Sequence, residues 1–155
     1  MGKLNLNYNK TLKLTNVLTR DAGEEEMKDW SKTVEQMDNY IKSKGHQPIG
    51  PIVQSTKINV DENGQLDVNI MLLRQANNYI NHVEDPYKMQ NVIKVSNCMY
   101  VRYRGTEQNL KYAYDKIGLT AYEEDIKLTN YSYTVFLDKV DDDLIVDVFM
   151  EKKHE

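Results

Sequence analysis

The chain is predicted to be an α+β protein. The expected arrangement is a tandem strand-helix-strand-strand duplication, with an antiparallel sheet, two main helices on one face and a central cleft. Three observations predict it. Each half reads as strand, helix, strand, short polar turn, strand. Each helical stretch closes on a glycine, Gly45 in the first half and Gly118 in the second. Each half then offers a polar hairpin turn, Asp61-Glu62-Asn63-Gly64 and Asp141-Asp142-Asp143. The order of elements repeats while identity between the halves is slight. A doubled unit of this size predicts two halves about a pseudo-twofold axis with a cleft between them. With 155 residues the chain is read as one domain, its halves at about 1–75 and 90–150 joined by a connection near 76–89.

The elements follow in order. Met1 to Arg20 alternates loosely, with Leu4, Leu6 and Tyr8 on one face, and reads as one long strand or two broken near Asn9. Asp21 is the expected N-cap of a helix from about Ala22 to Lys44, with Glu24, Glu25 and Glu26 complementing its dipole. Met27, Trp30, Val34, Met37 and Ile41 form its apolar stripe. Gly45 suits a left-handed cap, and Pro48 prevents the helix from resuming.

Ile49–Val60 and Leu66–Leu73 read as a hairpin across the Asn63-Gly64 turn, with a bulge expected near Gln54 to Lys57. Leu66, Val68, Ile70 and Leu72 share one parity, the pattern of a half-buried strand. Arg74 to Met89 lacks a clear period and is read as the connection between halves and the candidate moving part. Val92 to Arg104 reads as a long strand, broken by Gly105. Thr106 is the expected cap of a helix ending at Gly118, with Leu110, Ala113, Tyr114 and Ile117 on its buried face. Ile126–Leu137 and Leu144–Met150 form the second expected hairpin. Tyr131, Tyr133 and Val135 share one parity there, as do Ile145, Asp147 and Phe149, before a polar tail over Glu151–Glu155.

Composition excludes several classes. The hydrophobic fraction of 40% and charged fraction of 28% fit a globular protein with a real core. The 20 basic and 24 acidic residues are mixed along the chain with no basic face, so no nucleic-acid partner is expected. No apolar run approaches the roughly 20 residues that span a bilayer, and Met1–Lys10 has no signal-peptide core, so no membrane partner is expected. The lone cysteine, Cys98, forms no internal disulfide, which with the preceding points favours the cytoplasm.

The candidates for chemistry are few. His46, His82 and His154 stand apart at no ligand spacing, and there is no CxxC pair, so neither metal nor cofactor is expected. The Asp138 to Asp143 run lacks the glycine and distal glutamate of a calcium loop. Cys98, mid-strand among apolar residues, reads as a buried hydrophobe, and no catalytic residue is assigned. The informative residues are aromatic: 11 Tyr against 2 Phe and 1 Trp. Trp30, Tyr40, Tyr100, Tyr103, Tyr131 and Tyr133 are the candidate ligand-binding residues, with Thr134 beside them, because aromatic walls with a few hydroxyls suit flat or cationic organic ligands. For each ring taken singly, core packing is the competing reading.

The run Met99-Tyr100-Val101-Arg102-Tyr103-Arg104-Gly105-Thr106, followed by Leu110, Tyr114 and Ile117, resembles the GyrI-like family, the effector-binding domains of bacterial multidrug-responsive transcription activators. Gly50-Pro51 after the first helix fits the family order, as does the Tyr133-Thr134-Val135-Phe136-Leu137 strand with its acidic turn and final strand. The resemblance implies the tandem effector-binding fold with a central ligand cleft, and lipophilic, often cationic, small molecules. It also exposes a departure: where the family places a ligand-facing glutamate between an aromatic and an aliphatic residue, this chain has Thr134. Loss of that charge implies a neutral ligand, a different carboxylate, or a protein-binding use of the cleft.

The function expected from sequence is therefore a stand-alone, non-catalytic module for a small aromatic or lipophilic ligand. One alternative is a protein-interaction or accessory subunit, as a homodimer or with another protein partner, whose cleft is filled. The other is a cleft hydrolase using Tyr133 with Glu123 or Glu124.

Overall fold

A computed structural model describes residues 4–154. Six strands alternate with three helices: β1 (Leu6–Ala22), α1 (Glu24–Lys28), α2 (Trp30–Ser43), β2 (Pro48–Val60), β3 (Leu66–Ala76), β4 (Tyr87–Gly105), α3 (Lys111–Glu123), β5 (Leu128–Val140) and β6 (Asp143–Lys152), with a 3-10 turn over Glu107–Asn109 before α3. Strands, mostly antiparallel, hold 55% of the structure, and the strand order β1-β3-β2-β5-β6-β4 closes as a six-strand barrel. This overturns the expected α+β sheet carrying two main helices on one face, and the tandem duplication with it.

The physical reason lies in two asparagines. β1 and β4 are the longest strands, with 17 and 19 residues. Each passes through a left-handed residue, Asn16 at φ 52° and Asn97 at φ 62°. Asparagine tolerates that conformation because its short amide bonds locally. The pairing of β1 with β3 begins at Val17, and that of β4 with β6 at Cys98. In both cases the new ladder starts one residue after the kink. A bend of this kind re-aims a strand and raises its twist, which is how a ladder closes instead of staying open. Alternation of side chains carries no trace of it.

By contacts the chain divides into two compact units, Lys13–Lys94 and Met1–Leu12 with Val95–Glu155. In the Lys13–Lys94 unit, α1 and α2 replace the single expected helix. Gly23, not Asp21, is the N-cap, with its N–H donated to Glu26 Oε1 at 3.1 Å. The break falls at Asp29 (φ −118°, ψ 56°). The Thr33 hydroxyl lies 3.0 Å from the Glu26 carbonyl and 3.1 Å from that of Asp29, and so competes for carbonyls that a continuous helix would use. Met37 and Ile41 are fully buried, as are Leu72 and Leu73 of β3. Each such side chain stabilises the fold by roughly 1.5–3 kcal/mol.

α2 ends as the sequence predicts. Gly45 (φ 83°) donates to the Lys42 carbonyl at 2.9 Å and His46 to that of Ile41 at 3.2 Å, a Schellman closure. The β2–β3 turn is held by Asp61, whose Oδ1 accepts from Asn63 and Gln65 N–H at 2.9 and 2.8 Å. The β2 bulge falls between Ile49 and Val53 rather than at Gln54–Lys57, because Gly50 takes φ 70° there. Leu66 and Val68 are exposed, paired across the ribbon with Val60 and Ile58, and the buried end of that parity begins only at Leu72. The connection 77–86 is pinned to α2: Glu84 accepts from Lys44 Nζ at 2.8 Å and from the Tyr40 hydroxyl.

In the other unit α3 packs on β4 and β6, its Ala113, Ile117 and Ala121 meeting Met99, Val101, Tyr103, Val146 and Val148. α3 does not end at Gly118. It runs to Glu123, and Asp125 (φ 57°) supplies the left-handed residue, with Asp125 N–H on the Tyr122 carbonyl and Ile126 N–H on that of Ala121 at 2.8 Å. Tyr103 lies flat against Gly105 and donates to the Thr106 carbonyl at 2.6 Å.

Gly105 and Gly118 answer substitution in opposite ways. A Cβ at Gly105 would sit 2.4 Å from the Tyr103 hydroxyl and 2.8 Å from its ring carbon, so Gly105→Ala is expected to destabilise the chain by about 1–3 kcal/mol. A Cβ at Gly118 meets nothing within 4 Å, so Gly118→Ala in mid-helix is expected to stabilise it by about 0.5–1 kcal/mol. Urea denaturation of the two variants beside the parent measures both.

Candidate functional site

The sheet of the Val95-containing unit has two faces of different character. One carries Met99, Val101, Tyr103, Val146 and Val148 and is covered by α3. Strand alternation sends Tyr100 and Arg102 of β4, Asp147 and Phe149 of β6, and Tyr131, Tyr133 and Val135 of β5 to the other. Register brings them together: Tyr100 stands opposite Phe149, Arg102 opposite Asp147, Tyr133 opposite Phe149 and Val135 opposite Asp147.

Asp147 is the centre of this face. It is only 8% exposed, and a carboxylate so placed must be paired and hydrogen-bonded. Its Oδ1 accepts from the Tyr100 hydroxyl at 2.6 Å and from Arg102 Nε at 2.8 Å, and its Oδ2 from Arg102 Nη2 at 3.1 Å. The two-point grip fixes the guanidinium plane although the arginine side chain is 60% exposed. Burial, with the Asp147 charge beside it, pushes the Tyr100 phenol up to about 12. The same carboxylate raises Arg102 above its already high range.

Rings surround the carboxylate. Tyr100 and Phe149 lie 4.9 Å apart at 48°, and Tyr131 and Tyr133 lie 6.3 Å apart and nearly parallel at 14°. Lys10 Nζ sits 5.4 Å above the Tyr100 ring. Tyr131 also borders a hollow of about 540 Å³, with Leu128, Thr129, Asn130, Glu151 and Lys153. A second hollow, of about 750 Å³, lies by Asn97, the Glu124–Lys127 cap and Lys152–His154.

Of the residues singled out from sequence, Tyr100, Tyr131 and Tyr133 meet on this face. Tyr103 points the other way and is fully buried under α3. Thr134 is 2% exposed and shares a hydrogen bond with Tyr114 of α3, so it belongs to the core side. Tyr40 and Trp30 lie on α2 in the other unit, where Tyr40 stacks 4.3 Å from Tyr87 and bonds Glu84. Glu123 ends α3, and Glu124 accepts from the Tyr8 hydroxyl at 2.6 Å. Four residues of the face were not among the sequence-based candidates: Lys10, Arg102, Asp147 and Phe149. Asp147 did leave a signal, as a carboxylate in the apolar run Ile145–Phe149.

Among the described residues no group of three or more His, Cys, Asp or Glu is placed to hold a metal ion, and no helix is long and apolar enough to cross a membrane.

No family model matches the chain, and no curated protein does. Solved structures do. The chain is similar to EcmrR in a cryo-EM structure of its DNA complex (12% identity, TM-score 0.74), covering 98% of this chain and 58% of that one. It is also similar to a hydrolase encoded by lin2189 from Listeria innocua (11% identity, TM-score 0.53), covering 94% and 91%. SAV2435 bound to tetraphenylphosphonium matches at 9% identity and TM-score 0.47 over 97% and 93%. The likenesses to EcmrR and to the Listeria protein are likenesses of fold, and the chain spans 58% of the EcmrR chain's length.

Two measurements check the electrostatics. Because the Tyr100 phenol is raised by the fold, its contribution to stability is fully present below its ordinary value of 10 and is lost as pH rises toward 12. Alkaline ultraviolet titration is expected to show late-ionising tyrosines, Tyr8, Tyr40, Tyr114 and Tyr100, and Asp147→Asn is expected to move only the Tyr100 component part of the way back toward 10, because burial remains. Burial pushes the Cys98 thiol up to about 11, so thiol reagents are expected to leave it unmodified at neutral pH until denaturant is added.

Proposed function

We propose that the chain is a small-molecule-binding domain whose ligand stacks on the ring face formed by Tyr100, Tyr131, Tyr133 and Phe149. One observation carries this reading. A nearly buried carboxylate, a guanidinium and an ammonium are set among three half-exposed tyrosine rings and the buried ring of Phe149, on the sheet face that α3 leaves uncovered. A face built only for packing has no use for Asp147, since an apolar residue there would avoid the cost of desolvating a charge. Rings with a few fixed polar groups are the chemistry of an organic-ligand site. The resemblance of the Met99–Thr106 run to the GyrI-like family and the EcmrR-like fold support the same reading. The carboxylate of this face is Asp147, opposite Val135, while Thr134 faces α3 on the other side of the sheet.

The test is calorimetric titration and thermal shift against flat and bulky aromatic compounds of positive, neutral and negative charge. At least one class is expected to raise the melting temperature in a concentration-dependent way. Tyr133→Ala is expected to weaken that binding about tenfold, the scale of one lost ring contact. A panel without a single hit would overturn the proposal, and so would undiminished binding by Tyr133→Ala.

A further inference from the structure

We infer that Arg102 is the residue that sets the charge of the ligand: it closes the ring face to organic cations and turns it toward aromatic anions. This rests on the reading of that face as a ligand site. A cation entering such a site uses two things, a carboxylate and the face of a ring. Both are already taken by the chain's own cations. Asp147 receives three donors, two of them from Arg102 at 2.8 and 3.1 Å. The Tyr100 ring carries the Lys10 ammonium at 5.4 Å. A foreign cation would have to displace the guanidinium from a charge-assisted two-point contact and stand beside two like charges.

An anion meets the same groups constructively. Arg102 has five N–H donors and gives two to Asp147, which leaves three for an incoming carboxylate or sulfonate. Lys10 has no carboxylate partner among the described residues. Locally, Asp147 against Arg102 and Lys10 leaves one positive charge in excess. Of the other charges on this face, Arg104 and Asp143 pair with each other at 3.5 Å. Glu151, two residues beyond Phe149 and opposite Cys98, offsets that excess at the rim, so the preference rests on the donors that Arg102 keeps for a ligand and not on net charge.

The experiment uses ligands matched in shape and opposite in charge: tetraphenylborate against tetraphenylphosphonium, and 1-naphthoate against 1-naphthylmethylammonium. Calorimetry on the whole chain is expected to show the anion of a pair bound about tenfold or more tightly than its cation. Arg102→Met keeps the apolar stem and frees Asp147, and its preference is expected to reverse. Arg102→Lys keeps the charge without the two-point grip, and is expected to fall between. Circular dichroism and the melting temperature of each variant establish that it is folded. A cation preference in the parent chain, equal binding of both members, or an unchanged preference in Arg102→Met would overturn the inference and leave the ligand site standing. If the parent bound none of the four probes, the ligand-site reading would fall and this inference with it.

Discussion

The structure depends on two strands being able to turn without ending. β1 and β4 are too long to serve a single flat ladder, and Asn16 and Asn97 give each a left-handed step at the point where a new partner is taken up. A β-branched residue at either position would pay for that conformation heavily. Beyond Asn97, every side chain from Cys98 to Arg104 is committed to one face or the other of the β4–β6 ladder. One parity goes under α3 and the other carries Tyr100 and Arg102. The backbone bend is therefore upstream of the chemistry, since it sets the phase in which charged and aromatic residues emerge.

On the emergent face, Asp147 organises its neighbours as a buried charge must. Its oxygens hold a phenol and a guanidinium from the adjacent strand, and the phenol's ring is in turn held against Phe149. An open carboxylate would make the same face a simple cation trap. A carboxylate already gripped makes it a mixed surface, in which rings supply affinity and fixed charges supply discrimination. Thr134 takes no part, because its hydroxyl is occupied by Tyr114 on the far side of the sheet.

Much of the local structure was legible and the closure was not. Asn63-Gly64 announced the β2–β3 turn, and Gly45 the end of α2, because both positions need a conformation that few residues adopt. The same logic failed at α3: Gly118 sits inside the helix and the left-handed cap falls to Asp125, an aspartate whose conformation its identity does not reveal. The helix break at Asp29 was hidden because Thr33 disturbs it through two carbonyls, a contact absent from any hydrophobic stripe. For the ring face, strand parity put Tyr131 with Tyr133 and Asp147 with Phe149. What parity could not supply was register across strands, and only register sets Arg102 against Asp147.

Tyr103 and Gly105 illustrate how such a chain drifts over generations. The phenol of one occupies the space that any side chain at the other would need. Gly105 cannot be exchanged while Tyr103 stands, so the order matters: a smaller residue must arrive at 103 before a larger one is admitted at 105. Descendants of this sequence should carry the two as a correlated pair, and a lineage that has lost the tyrosine is the one free to abandon the glycine.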